Sequence, residues 1–90
     1  MPWTVEVAPQ AARTLARLER TEQARIRRFM GERLATDADP RRLGHALTGP
    51  LAGLWRYRIG DYRLVCRIDD GRCVVLALAV GHRREIYRDH

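Results

Sequence analysis

The chain contains no lysine: all 17 of its basic residues are arginine, against 11 acidic ones. The formal charge of +6 makes a polyanion the natural partner. Arginine also forks onto phosphate oxygens and does not readily give up its proton. Cysteine is scarce, with only Cys66 and Cys73, which excludes a disulfide-held scaffold. There is no glycine-rich phosphate loop, no nucleophile elbow, and no metal-ligand spacing of His, Cys and acids. No cofactor or metal is therefore expected, and chemistry must come from Arg, Tyr or His. The longest apolar run, Cys73 to Val80, is too short to span a bilayer. The opening MPWTVEVAPQ lacks a basic segment followed by an apolar one. A cytoplasmic protein with no membrane partner is the expectation. Ninety residues, 46% of them hydrophobic, are enough for one folded domain over 1–90 and argue against disorder.

The residues that are there concentrate their information between Leu54 and Tyr87. Trp55, Tyr57 and Ile59 alternate with Arg56 and Arg58, and Tyr62, Leu64, Cys66 and Ile68 alternate with Arg63 and Arg67. The run Cys73 to Val80 reads as a strand buried on both faces. Gly60-Asp61 and Asp70-Gly71 each suit a two-residue hairpin turn. The first turn pairs Ile59 with Tyr62, Arg58 with Arg63, Tyr57 with Leu64, and Arg56 with Val65. The second pairs Ile68 with Cys73, Cys66 with Val75, Leu64 with Ala77, and Arg63 with Leu78. Cys66 and Cys73 then lie diagonally, roughly 7 Å apart at Cβ, and are expected to be free thiols.

In this register one face is a core of Trp55, Tyr57, Ile59, Leu64, Cys66 and Val75. The other carries Arg56, Arg58, Arg63 and Arg67 beside Val65, Val74, Leu76 and Leu78. Arg58 opposite Arg63 puts like charges roughly 5 Å apart at Cβ, a destabilising pair. The repulsion is roughly 1 kcal/mol in water and about 3 at an effective dielectric of 20. A solvated face accounts for charge, but a surface meant only for solubility mixes in acids. An anion site accounts for one sign at facing positions.

Upstream, Trp3 to Val7 reads as a first strand and Pro9 as the opening of a helix. Ala11, Ala12, Leu15 and Leu18 form its apolar stripe. Thr21 is the expected N-cap of a second helix striped by Ile26, Phe29, Met30 and Leu34. Its arginines read as a solvated outer face, and the pair as a helical hairpin. Arg41 to Gly53 reads as a loop, with His45 a surface histidine. The fold class expected is α+β in two layers. The N-terminal strand and helical hairpin pack on a mostly antiparallel four-stranded sheet, with the edge joined by the first strand left open.

This order resembles the RelE/ParE superfamily of bacterial type II toxins. The residues that carry the resemblance are Tyr62-Arg63-Leu64-Val65, Val80-Gly81-His82-Arg83 and Glu85-Ile86-Tyr87. They are similar to the RelE branch, a ribosome-dependent mRNA endoribonuclease. The resemblance implies that a ribose 2′-hydroxyl attacks the adjacent phosphate, leaving a 2′,3′-cyclic phosphate. It implies catalytic roles for Arg56, Arg58, Arg63, Arg83 and Tyr87, with Arg67, His82 and Arg84 binding RNA. Arg58 stands where the family often has a lysine proposed as general base, and arginine is a poor base. The general base is therefore open, with His82 the nearby group suited to proton transfer. The partners implied are mRNA in the ribosomal A site, the ribosome, and a cognate antitoxin. Two other readings stand beside it: a ParE-like inhibitor of DNA gyrase, and a toxin-fold protein that binds RNA without cutting.

Overall fold

Strict alternation from Trp55 to Ile59 sends three apolar residues one way and two arginines the other, and the sheet is built around that strand. The computed structural model describes residues 3–84 of the 90. In chain order its elements are β1 (Thr4–Val7), α1 (Pro9–Ala16), α2 (Arg20–Arg28), β2 (His45–Ala46), β3 (Trp55–Ile59), β4 (Tyr62–Asp69) and β5 (Val74–His82). A π-helical stretch, Phe29–Leu34, continues α2, and 3-10 turns occupy Pro40–Leu43 and Gly49–Leu51. The strands lie in the order β1-β5-β4-β3-β2. β1 thus joins the β5 edge and runs parallel to it, while the other neighbours are antiparallel. The α+β two-layer arrangement is as expected, with a fifth strand of two residues inside the segment read as a loop.

The helices and the sheet share one core. Ala11 and Leu15 from α1, Ile26 from α2, and Met30 and Leu34 beyond it pack with Tyr57, Ile59, Leu64, Cys66, Val75, Ala77 and Val80. Burying a side chain such as Leu15 or Ile26 contributes about 1.5–3 kcal/mol. Pro9 opens α1 as predicted. Thr21 is not the N-cap of α2: Glu19 occupies that position in extended backbone, and Thr21 falls in the first turn. The join is held instead by Gln23, whose Nε2 donates to Leu18 O at 3.0 Å and Ala16 O at 3.3 Å.

The first hairpin has the predicted register, with Gly60 at φ 60° supplying the left-handed residue of its turn. The second does not. Its turn takes four residues, Asp70 to Cys73, so Asp69 faces Val74, Ile68 faces Val75, and Cys66 faces Ala77. Two bonds accompany the wider turn, one local and one from far along the chain. Asp69 Oδ1 accepts the Arg72 N–H at 3.3 Å, and Asp70 is drawn outward to the Arg41 guanidinium. Cys73 closes the turn at φ 54° instead of starting the strand. A bulge between Val65 and Cys66 then shifts the ladder once more, so Leu64 faces Val80 and Arg63 faces Gly81. Ala77 and Val80 both reach the core because that bulge absorbs one residue of β5.

The two thiols are free and differ sharply in access. Cys66 is fully buried, and burial pushes its thiol up to about 12. Cys73 is half-buried in the turn. At pH 8 an aromatic disulfide reagent should modify one thiol per chain, and the second only in denaturant. Equal rates for both, or persistence of the fast phase in Cys73→Ser, would contradict this packing.

Candidate functional site

On the sheet face turned away from the helices, Arg58 and Arg63 are direct cross-strand partners and Arg56 lies opposite Val65. Arg67, two pairs further along β4, faces Leu76. On the β5 side, Arg63 meets Gly81 and Val65 meets Ala79, so small residues flank Arg63 there. Val65 and Val74 are each 6% exposed yet stand apart from the helix-side core cluster. They form an apolar floor beneath a charged surface.

Local bonds orient the cations. Arg63 Nη1 donates to Gly60 O at 3.2 Å and to Tyr62 O at 3.1 Å, which anchors the guanidinium beside the hairpin turn. Arg58 is exposed, and Arg56 is half-buried. The Nε of Arg56 is sealed from solvent without a hydrogen-bond partner among the described residues. Leaving such a donor unpaired costs about 1–3 kcal/mol, a cost folded proteins tolerate mainly where function requires it. Among the described residues, the acids of this face lie at the far end of the sheet. Glu6 is opposite Leu76 and pairs with Arg72 at 3.9 Å, while Asp69 is opposite Val74 and engaged in the turn. Arg56, Arg58 and Arg67 form no ion pair among the described residues. The arrangement can hold a polyanion backbone over several positions and concentrate positive charge on one phosphate.

Arg56, Arg58, Arg63 and Arg67 are therefore brought together. Arg83 donates its N–H to Asp61 O at 2.8 Å, which continues the β4–β5 ladder and keeps this exposed residue at the Arg58–Arg63 end. Arg84 follows it and is also exposed. His82 is not part of the group. It pairs with Tyr62, and the two rings meet edge to face with centroids 5.7 Å apart, on the helix side. The reason is alternation: Gly81 stands beside Arg63, so the next residue points to the opposite face. There His82 borders a cavity lined by Gln10, Thr14, Leu18 and Val80. Tyr87 lies outside the described residues.

One residue of this face escaped the sequence reading. His45, in β2, is the cross-strand partner of Arg56 and is exposed on the arginine side. The signal was Gly44 before it. A Cβ at Gly44 would come 2.7 Å from Arg56 O and 2.8 Å from Tyr57 Cε1. Only a glycine lets the backbone press against β3 closely enough to set His45 in register.

Comparison with known proteins fits this geometry. The family described as ParE toxin of type II toxin-antitoxin system, parDE, matches residues 5–87. Toxin RelG of Mycobacterium tuberculosis (strain ATCC 25618 / H37Rv) is 40% identical over 88 residues, 98% of this chain and 99% of that protein. Toxin RelE of the same organism is 38% identical over 87 residues, 97% of this chain and 88% of that one. The crystal structure of the M. tuberculosis toxin-antitoxin complex RelBE2 contains a chain that superposes with TM-score 0.85 at 36% identity. The match covers 94% of this chain and 95% of that one.

Proposed function

Because the chain belongs to the ParE toxin family of type II toxin-antitoxin systems, we propose that its arginine face cleaves mRNA in the ribosomal A site. The observation that carries this reading is the direct pairing of Arg58 with Arg63, with Arg56 beside them. A sheet gains nothing in stability from such a pair, whereas a phosphorane gains charge compensation. In this mechanism the ribose 2′-oxygen attacks phosphorus and the bond to O5′ breaks, giving a 2′,3′-cyclic phosphate and a 5′-hydroxyl. Arg63 and Arg56 stabilise the added charge, Arg58 holds the phosphate, and Arg83 assists the departing oxygen. Tyr87 stacks on a base. Arg67 and Arg84 contact flanking phosphates. His82 is left out by its position.

The cognate antitoxin is an acidic, partly disordered chain that neutralises this face. Leu76 and the Val65–Val74 floor give it apolar contacts among the arginines. The relative with 36% identity is itself described as part of a toxin-antitoxin complex.

Inhibition of DNA gyrase is a second reading, favoured by the parDE description of the matching family. The eight-residue α1 weighs against it, since ParE-like toxins carry a longer helical hairpin, while α2 with its π-helical continuation runs from Arg20 to Leu34. Induction in bacteria followed by 5′-end mapping of a reporter mRNA separates the readings. Codon-phased cuts that require translation support cleavage. DNA damage with intact mRNA supports gyrase inhibition, and absence of toxicity supports RNA binding alone.

A further inference from the structure

The cleavage reaction needs a group that takes the proton from the attacking 2′-hydroxyl, and the arginine face has to supply it. Arginine is excluded, since its guanidinium stays protonated. Among the described residues, the carboxylates of this face are too distant. Asp69 lies six residues from Arg63 along β4, about 20 Å at strand rise, and Glu6 sits beyond Leu76, the partner of Arg67. Asp61 borders the helix-side cavity with Glu19 and Glu22, and His82 is on that side too. Tyr57 and Cys66 are in the core. Among the described residues, that leaves His45.

We propose that His45 is the proton acceptor of the cleavage step, set against the scissile phosphate by its pairing with Arg56 across β2 and β3. This inference rests on the mRNA-cleavage reading. Direct partners have Cβ atoms about 5 Å apart, so the imidazole and the Arg56 guanidinium flank one phosphodiester. Arg58, two residues along β3, is the diagonal neighbour at about 7–8 Å. An imidazole nitrogen takes the 2′-hydroxyl proton as the oxygen–phosphorus bond forms. The P–O5′ bond breaks, O5′ takes a proton from water, and the imidazolium returns its own to the resulting hydroxide. No water is consumed and the reaction is an isomerising transesterification. The elements packed against β2 are β3 and the 3-10 turn Pro40–Leu43. They carry Arg56 and Arg58, Arg41 held by Asp39 and Asp70, and Arg42 held by Asp37. Histidine is the residue type that can cycle a proton in such a cationic setting near neutrality.

The test is single-turnover cleavage of mRNA on purified ribosomes programmed with an A-site codon, measured as a function of pH. His45→Ala and His45→Gln should each be slower by about 10²-fold, with the acidic limb of the profile lost and part of the rate restored to His45→Ala by added imidazole. His82→Gln should keep both rate and limb. Matching melting curves establish that the variants fold. A His45→Ala rate within about threefold of the unsubstituted protein, or a slow variant that retains the acidic limb, overturns the assignment. If the unsubstituted protein cuts nothing on the ribosome, the functional reading falls and this inference with it. That outcome is distinct from a His45 variant working at full speed.

Discussion

Arg63→Ala should slow mRNA cleavage about 10³-fold while leaving stability within about 0.5 kcal/mol of the parent. The two halves of that expectation have one cause. Arg63 sits across the strand pair from Arg58, so its charge opposes folding and, in the proposed reaction, serves the phosphate. Removing it relieves a repulsion of roughly 1 kcal/mol at aqueous dielectric and about 3 at an effective dielectric of 20. The losses include the bonds from Nη1 to Gly60 O and Tyr62 O, whose net worth is about 0.5–1.5 kcal/mol each. The terms nearly cancel, and the melting temperature should move by no more than about 4 °C. Activity has no such compensation, because in the proposed mechanism the lost group faces charge that develops only in the transition state. Rate measurements on programmed ribosomes beside calorimetry would show the split. A variant that loses stability and rate in proportion would instead mark Arg63 as a structural residue.

Gly44→Ala should lower stability by about 2 kcal/mol, a fall of about 8–16 °C in melting temperature for a domain of this size. The added methyl would meet Arg56 O at 2.7 Å and the Tyr57 ring at 2.8 and 2.9 Å. Neither neighbour can yield. Arg56 O belongs to β3, and the Tyr57 ring is fully buried, with its hydroxyl donating to Pro40 O at 2.9 Å. Backbone conformation is not the issue, since Gly44 sits at φ −136° in extended territory. In a Tyr57→Leu background the same substitution should cost less, since two of the three close contacts are to the ring. An unchanged melting temperature for Gly44→Ala would mean that β2 does not lie against β3 in this way.

Pattern made the central hairpin legible. Period-two alternation and Gly60-Asp61 fix every β3–β4 pair, and with them the face shared by Arg56, Arg58 and Arg63. The α+β class followed from strand, helix, helix and meander. Asp70-Gly71 misled, because the same dipeptide opens a longer turn when Asp69 caps the Arg72 N–H and Arg41 pulls on Asp70. Arg41 is 29 residues away from Asp70 in sequence, and no local rule contains that contact. The bulge opposite Val65 and Cys66 was equally invisible, since nothing in Val74 to His82 interrupts its apolar pattern. His45 went unrecognised because a two-residue strand has no periodicity to detect. The placement of His82 illustrates the converse: it was close to Arg83 in sequence and yet on the other side of the sheet.

The parallel seam between β1 and β5 carries a consequence for biosynthesis. Thr4 has no sheet neighbour until Val74 exists, 70 positions later. Closing so large a loop defers that contact to the last steps of folding, and non-local pairings of this kind are slow to form. A nascent polypeptide still short of that point lacks the β5 segment that backs β4 and its Arg63. The sheet that carries the arginines therefore cannot close until Val74 and the strand that follows it have been made.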